Sequence, residues 1–260
     1  MPEPIVRVED VTVRFGGVVA VDNVSLDVMP GEVVGIIGPN GAGKTTLLDA
    51  VCGWAPLTAG RVTLDGADVT GVLPWKRARL GLGRSFQDAR LYPTMTVRET
   101  LQSAFHARHR NGVVAEGLRL PDAQAEEEEV AAAAISLLEL VDLGRYLDHR
   151  VAELSFGTTR AVELAWLAAR RPNVLLLDEP ASGLQQSEVR VLGGLIERIR
   201  GDAAVVVIDH DVPFVSGLAP RLVAMDLGRV VADGPSTSVL ADPGVIESYL
   251  GTGRYSRAAT

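Results

Sequence analysis

The chain has 260 residues, 47% of them hydrophobic, so it can bury a substantial core in one large or two small α/β domains. Its formal net charge of -8 repels phosphate backbones and argues against a nucleic-acid partner. The single cysteine, Cys52, excludes an intrachain disulfide and a cysteine-rich metal site, and we interpret it as a small core residue.

The N-terminal sequence MPEPIVRVED lacks the pattern of a signal peptide, and no apolar run approaches the roughly 18 to 20 residues of a membrane helix. These observations predict a soluble, cytoplasmic chain whose membrane role would come through a partner. Residues 252–260 have the composition of a frayed C-terminal tail.

Short β-rich runs recur along the chain, and several are apolar on both faces, as in strands buried inside a parallel sheet. The runs are IVRV at 5–8, VVGII at 33–37, VLLLD at 174–178, AVVVID at 204–209 and RLVAM at 221–225. Helical patterns separate these runs. The order of elements therefore predicts a doubly wound α/β fold.

The stretch at 88–160 interrupts this alternation, because it contains helix candidates and no strong strand pattern. The candidates include 96–106 and 122–143. The glutamates at 126–129 favour a solvated helix start over a metal or partner site, since carboxylates stabilise the positive end of a helix. We expect a helical subdomain at 88–160, inserted into a single domain that spans 1–260.

The sequence GPNGAGKTT follows a predicted buried strand and opens a helix. It matches the pattern G-x-x-x-x-G-K-[ST], whose glycines let successive backbone N–H groups point at phosphate oxygens. Lys44 is expected to reach the β- and γ-phosphates, and Thr45 to offer its hydroxyl to Mg²⁺. The phosphate-binding candidates are Gly38, Asn40, Gly41, Gly43, Lys44, Thr45 and Thr46.

The stretch LSFGTTR at 154–160 places a serine and a glycine at the predicted start of a helix. A serine hydroxyl and bare backbone amides at a helix start can bind an anion, and the same geometry forms an ordinary N-cap. The residues allow both interpretations, which are compatible.

A second phosphate-site element is VLLLDE at 174–179, where an apolar strand ends in an aspartate. Open α/β sheets bind ligands at the carboxyl ends of their strands. Asp178 is expected to anchor Mg²⁺ through a coordinated water. Glu179 is expected to polarise the water that attacks the γ-phosphate.

The order of these motifs, with RSFQD at 84–88 and IDHD at 208–211, resembles the ATP-binding subunit of ABC transporters over nearly the whole chain. The resemblance implies a P-loop NTPase core with a mostly parallel central sheet, antiparallel strands near the N-terminus and an inserted α-helical subdomain. It also implies that ATP and Mg²⁺ are bound in a dimer, formed with a second copy or a paralogue.

The resemblance assigns roles to further residues. Gln87 is expected to reach Mg²⁺ and the attacking water, and His210 to contact the γ-phosphate. Phe15 falls where the family stacks an aromatic ring on adenine, although a core position explains it equally well. Ser155 and Gly157 would close over ATP bound to the opposite subunit.

The chain departs from the family pattern in two loops. The signature loop, commonly LSGGQ, is LSFGT here, with Phe156 and Thr158 at the altered positions. The family's usual aspartate in the loop after Glu179 is Gln185. We expect ATP hydrolysis to persist at a reduced rate, and leave open how the dimer communicates through Gln185.

Three stretches are similar to the ATPase subunits of importers for branched-chain and other hydrophobic amino acids, amides and urea. They are GLGRSFQDARLYPTMTVRETL at 81–101, LSFG with its aromatic third residue, and ADPGVIESYLG at 241–251. Each also has a structural explanation; TVRE at 96–99 is a capping box whatever the substrate. The similarity implies transmembrane permease subunits as partners and, indirectly, an extracytoplasmic solute-binding protein.

Two other functions stay open from sequence. A non-transport ABC ATPase of translation or DNA repair usually carries a second cassette or a long coiled coil, for which this chain has no room. A regulatory subunit with degenerate catalysis is suggested by Phe156, Thr158 and Gln185.

Overall fold

The structure is a computed structural model and describes residues 3–85, 91–106 and 121–250. The described strands are β1 (Val6–Phe15), β2 (Val18–Val28), β3 (Val33–Ile37), β4 (Ala59–Leu64), β5 (Ala67–Asp68), β6 (Leu82–Arg84), β7 (Val174–Asp178), β8 (Ala204–Ile208), β9 (Arg221–Asp226) and β10 (Arg229–Pro235). The described α-helices are α1 (Lys44–Cys52), α2 (Pro74–Arg79), α3 (Val97–His106), α4 (Pro121–Glu139), α5 (Phe156–Ala169), α6 (Gln186–Ile199), α7 (Val212–Leu218), α8 (Ser236–Leu240) and α9 (Pro243–Leu250).

The described residues belong to two compact units. The first unit contains those within Met1–Arg84, Asn173–Ser182 and Arg200–Thr260, and the second those within Ser85–Pro172 and Gly183–Ile199. The boundaries predicted for an inserted subdomain, 88–160, stay a prediction. The predicted tail at 252–260 lies outside the described residues.

The larger sheet of the first unit has the strand order β10-β9-β3-β8-β7-β6 among the described residues. Neighbouring strands from β9 to β6 pair in parallel, and β10 pairs with β9 in the antiparallel direction. Every residue of β3, β7 and β8 is buried, as their continuous apolar sequences predict. The expected mostly parallel central sheet is therefore confirmed. The carboxyl ends of these parallel strands meet at one edge, where ligands bind in such sheets.

The second sheet of the first unit has the order β2-β1-β4-β5, and its neighbouring strands are antiparallel. Strand β1 is longer than the predicted 5–8 because a bulge at Asp10, with φ +49°, lets the strand continue. The bulge shifts the alternation, so that Val8 and Val11 both face the core. Ser25 Oγ accepts from the Asp10 N–H at 2.9 Å and thereby holds the bulge.

The core of the first unit is formed by both sheets and α1. Valines and leucines from β1, β2 and β4 pack with residues of β3, β7 and β8 in one buried cluster. Cys52, on α1, belongs to that cluster, so the prediction that it is a core residue is confirmed. Burial raises the pKa of the Cys52 thiol to about 11.

The second unit contains α3 to α6 and two short 3₁₀ helices at Gly144–Tyr146 and Val151–Glu153. The capping box predicted at the start of α3 is confirmed, since Thr96 N–H donates to Glu99 Oε2 and Glu99 N–H donates to Thr96 Oγ1. The helix predicted at 122–143 ends earlier. Asp142 has φ +60°, and a residue in this left-handed conformation terminates a helix.

Replacing Gly35 by alanine tests the packing of the central sheet. An added Cβ would lie 2.3 Å from Val215 Cγ1 and 2.6 Å from Leu222 Cδ2, so Gly35→Ala overpacks the core. We expect it to lower the free energy of unfolding by about 1–3 kcal/mol. Urea denaturation followed by circular dichroism measures this change.

Gly217→Ala is the matched control, because a Cβ at this position in α7 meets nothing within 4 Å. It should be neutral or stabilise the protein by up to about 1 kcal/mol, the helix-propensity difference between the two residues. Equal unfolding midpoints for the two variants would contradict the packing described around β3.

Candidate phosphate and metal site

The loop between β3 and α1 is packed so closely that side chains are excluded at two of its glycines. An added Cβ would lie 2.2 Å from Met225 O at Gly38 and 2.3 Å from Ala20 O at Gly43. Gly43 has φ +95° and is the N-cap residue of α1, with no capping side chain among the described residues. The positive N-terminal end of α1 therefore faces the loop without such a capping side chain, as at helix starts that bind anions.

Lys44 is held inside this loop. The residue is 8% exposed, and its Nζ donates to Gly38 O at 2.7 Å and Pro39 O at 2.9 Å. Asn40 and Gly41 are exposed at the loop tip. The loop thus places a fixed positive charge beside the N-terminus of α1, an arrangement that suits phosphate oxygens.

Thr45 and Asp178 meet although they are far apart in sequence. Thr45 Oγ1 donates to Asp178 Oδ1 at 3.3 Å, and Asp178 is buried at the end of β7. Thr46, the remaining predicted loop residue, follows Thr45 on α1 and is half-buried. No group of three or more His, Cys, Asp or Glu side chains suited to a metal occurs in the described part of the chain. One hydroxyl and one carboxylate fit Mg²⁺, which usually combines few protein oxygens with waters and substrate phosphates.

Arg84 also contacts Asp178, and sequence reasoning did not single it out. Its Nη2 donates to Asp178 Oδ2 at 3.0 Å, and its Nη1 pairs with Asp49 of α1. The only feature of the sequence that could have indicated Arg84 is its charge at the start of the RSFQD motif, where a strand ends. Gln87, from the same motif, lies outside the described residues.

Glu179 follows β7 with φ +47°, a left-handed conformation that costs a non-glycine residue energy. Its backbone N–H donates to Ile208 O at 2.7 Å, which ties it to the end of β8. The structure therefore holds the residue after Asp178 in a fixed, sparsely populated backbone conformation.

Asp209 connects the loops that carry Glu179 and His210. It is fully buried; its Oδ2 accepts from Ala181 N–H at 2.9 Å and its Oδ1 from Asp211 N–H at 3.0 Å. His210 Nδ1 lies 3.5 Å from Asp209 Oδ1, and the His210 ring is half exposed. Sequence reasoning missed Asp209, whose only signal was a carboxylate ending an apolar strand.

Phe15, at the end of β1, is 53% exposed. The alternative that it is a core residue is therefore wrong. An exposed aromatic ring at a strand end is available to stack on a planar ligand, and the adenine contact stays a prediction.

In the second unit, Ser155 caps α5, which confirms the N-cap interpretation of LSFGTTR. Its Oγ accepts from Thr158 N–H at 3.2 Å and lies 3.0 Å from Thr158 Oγ1. Glu188 of α6 approaches this helix start, and Ser155 Oγ donates to Glu188 Oε1 at 3.4 Å. A Cβ at Gly157 would lie 2.3 Å from Glu188 Cδ. A carboxylate thus already sits at the helix N-terminus, as expected for an anion site.

The two departures from the family pattern have local partners in the second unit. The Arg160 guanidinium lies 5.2 Å from the centre of the Phe156 ring and pairs with Glu163 at 3.0 Å. Gln185 uses its backbone N–H, which donates to Glu188 Oε2 at 3.0 Å. Neither substitution breaks the helix start to which it belongs.

Within the ranges that the structure describes, every helix is too short or too polar to cross a membrane. The family model described as ABC transporter matches residues 21–182. The chain belongs to the ABC transporter family. It is an ATP-binding and ATP-hydrolysing subunit of this family, with an α/β cassette fold.

Relatives of this ABC transporter subunit match it over nearly their whole lengths. The high-affinity branched-chain amino acid transport ATP-binding protein BraF of Pseudomonas aeruginosa is 38% identical over 254 residues, covering 96% of this chain and 99% of BraF. The corresponding protein LivG of Escherichia coli is 34% identical over 253 residues, covering 96% of this chain and 99% of LivG. The crystal structure of the ADP conformation of MJ1267, an ATP-binding cassette of an ABC transporter, is 29% identical with a TM-score of 0.78. It covers 95% of this chain and 99% of that one.

Gly43→Ala tests the phosphate loop. The variant combines an unfavourable φ of +95° with a Cβ 2.3 Å from a backbone oxygen, so we expect a loss of more than about 2 kcal/mol in unfolding free energy. Binding of a fluorescent ATP analogue should weaken at the same time. Urea denaturation and fluorescence titration measure the two effects.

Gly41→Ala is the control, because Gly41 has a similar φ of +83° but a Cβ there meets nothing within 4 Å. It should cost only the conformational penalty, about 1–2 kcal/mol. Indistinguishable stabilities of the two variants would show that the contact with Ala20 O does not constrain the loop.

Proposed function

We propose that the protein powers an importer of branched-chain or other hydrophobic amino acids by hydrolysing ATP. The near full-length similarity to BraF and LivG, whose names describe branched-chain amino acid transport, carries the substrate assignment. The contact of Thr45 with Asp178 beside the loop of Lys44 supports phosphate and metal binding at this site.

In the proposed reaction, the α1 amides and Lys44 bind the β- and γ-phosphates of ATP. Lys44 Nζ exchanges its carbonyl partners for phosphate oxygens, which offset its charge more effectively. Thr45 and Gln87 would hold Mg²⁺ directly, and Asp178 would anchor it through a coordinated water. When bound, Mg²⁺ neutralises charge on the transferring phosphoryl group.

Glu179 accepts a hydrogen bond from the attacking water and orients it towards the γ-phosphate. His210 contacts that phosphate, and Phe15 stacks on adenine. Asp209 supports this arrangement, because it fixes both loops through backbone hydrogen bonds without itself being exposed. Glu179 and His210 follow β7 and β8 at the carboxyl edge of the central sheet, a position that suits reaction there.

The proposed active form is a dimer with two ATP molecules at its interface. Ser155 and Gly157 of each protomer bind the γ-phosphate held by the other, using the N-terminus of α5. ATP binding closes the dimer, and hydrolysis with phosphate release opens it. The second protomer is a second copy of this chain or a paralogue.

The proposed assembly places the dimer at the cytoplasmic face of the membrane, attached to transmembrane permease subunits. An extracytoplasmic solute-binding protein delivers the amino acid to these subunits. The transport function named for BraF and LivG supports this arrangement.

Phe156, Thr158 and Gln185 suggest, from sequence alone, the alternative of a regulatory subunit with degenerate catalysis. The intact N-cap at Ser155, in which Thr158 takes part, favours an active signature loop instead. ATP hydrolysis by the assembled transporter separates the two, since the regulatory alternative requires no detectable turnover at this site.

Glu179→Gln tests the proposed hydrolysis. The neutral amide of glutamine polarises the attacking water less than a carboxylate does and cannot take up its proton, so we expect ATP turnover to fall by at least about 10²-fold. An ATP-loaded dimer should accumulate, which size-exclusion chromatography with light scattering detects. Glu9→Gln, on the exposed part of β1, is the control and should behave as wild type. Full phosphate release from Glu179→Gln would refute the role assigned to Glu179.

The transported substrate is tested with the chain and its permease subunits in proteoliposomes. We expect ATP-dependent uptake of radiolabelled leucine, isoleucine and valine when the solute-binding protein is added. Lys44→Ala should abolish that uptake, because the loop loses its fixed charge. Transport of urea or amides without these amino acids would overturn the substrate assignment and leave the ATPase assignment intact.

A further inference from the structure

Arg84 bridges two carboxylates that approach it from different elements. It ends β6, whereas Asp49 lies on α1 and Asp178 ends β7. The side chains of Arg84 and Asp178 are only 10% and 3% exposed. An ion pair so shielded from water is sensitive to the loss of either partner, since the remaining charge is left buried.

The two oxygens of Asp178 have different partners. Oδ2 accepts from Arg84 Nη2 at 3.0 Å, and Oδ1 accepts from Thr45 Oγ1 at 3.3 Å. Arg84 is itself fixed by its second contact, with Asp49, so its planar guanidinium offers Asp178 one defined direction. Asp178 is thereby oriented with Oδ1 on the side of Thr45.

The charges of this cluster leave it suited to a cation. Arg84 supplies one positive charge against the two carboxylates of Asp49 and Asp178. These three side chains together carry one net negative charge, which favours a divalent cation, while the positive charge of Lys44 would be offset by the phosphates of bound ATP. Without Arg84 the two carboxylates would lack this shared counter-charge, and Asp178 would lose the partner that orients it.

We propose that Arg84 is a positioning residue that presents Asp178 to Mg²⁺ and so sets the metal dependence of ATP binding. This inference rests on the proposed role of Asp178 as a metal-anchoring residue. Arg84 acts through Asp178 and needs no contact with the nucleotide. Partners that orient metal-binding carboxylates typically change metal affinity by about 10- to 100-fold when they are removed.

The test measures binding of a fluorescent ATP analogue by Arg84→Gln in EDTA and in a Mg²⁺ titration. We expect the metal-free affinity to stay within about twofold of wild type, because the phosphate loop is unchanged. The Mg²⁺ midpoint, which is the Mg²⁺ concentration that gives half of the increase in affinity for the ATP analogue, should rise by about tenfold. Arg84→Lys keeps the positive charge but lacks the planar guanidinium that bonds two carboxylates at once, so it should shift the Mg²⁺ midpoint by less.

Asp49→Asn is the matched control, since it removes the other partner of Arg84 and keeps the contact with Asp178. Its Mg²⁺ midpoint should shift by less than that of Arg84→Gln, because Arg84 keeps its hydrogen bond to Asp178. Thermal unfolding of each variant shows how far the fold is weakened. If Arg84→Gln does not fold, Arg84→Lys decides the test. An unchanged Mg²⁺ midpoint in the folded Arg84 variant overturns the proposal. An equal midpoint shift in Asp49→Asn also overturns it, because the role would then be structural only.

Asp178→Asn distinguishes failure of this inference from failure of the proposed function. If the Mg²⁺ midpoint shifts in Asp178→Asn but not in the Arg84 variants, only the inference about Arg84 is rejected, and the proposed metal role of Asp178 stands. A midpoint unchanged in Asp178→Asn rejects the metal role of Asp178, and with it the inference about Arg84.

Discussion

Charged side chains buried at the carboxyl edge of the central sheet are the constraint on which the site depends. Burying a charge is costly unless fixed partners offset the loss of water. Lys44 has two loop carbonyls, Asp209 has two backbone amides, and Asp178 has Thr45 and Arg84. Asp178 and Asp209 are therefore held in one orientation before any ligand arrives, which reduces the reorganisation that binding and catalysis require.

In the second unit, polar groups at the start of α5 also have fixed partners. Here Ser155 satisfies a backbone amide of α5, and the carboxylate of Glu188 lies at the positive end of that helix. The absence of a side chain at Gly157 makes room for this carboxylate. A phosphate arriving at this helix start in the proposed dimer would meet a position that a carboxylate of the same protomer already occupies, so Glu188 would have to yield.

Sequence predicted the parts of the molecule whose information is local. Strands β3, β7 and β8 are apolar at consecutive positions, and the phosphate loop is one continuous motif, so both were evident from the sequence. The length of β1 was not, because its bulge depends on Ser25 of the next strand. Arg84 was missed for the same reason: its partners lie 35 and 94 residues away, and only the folded sheet brings them together. Only the structure could decide whether Phe15 lies at the surface or in the core.

The environment of Cys52 has a practical consequence for measuring how the protein moves. Thiol-reactive probes attack the thiolate, and a buried thiol with a pKa of about 11 stays protonated and shielded at neutral pH. No other cysteine occurs in the chain. Spin labels or fluorophores can therefore be attached through cysteines introduced on the surface, with the native thiol left in place and silent during labelling.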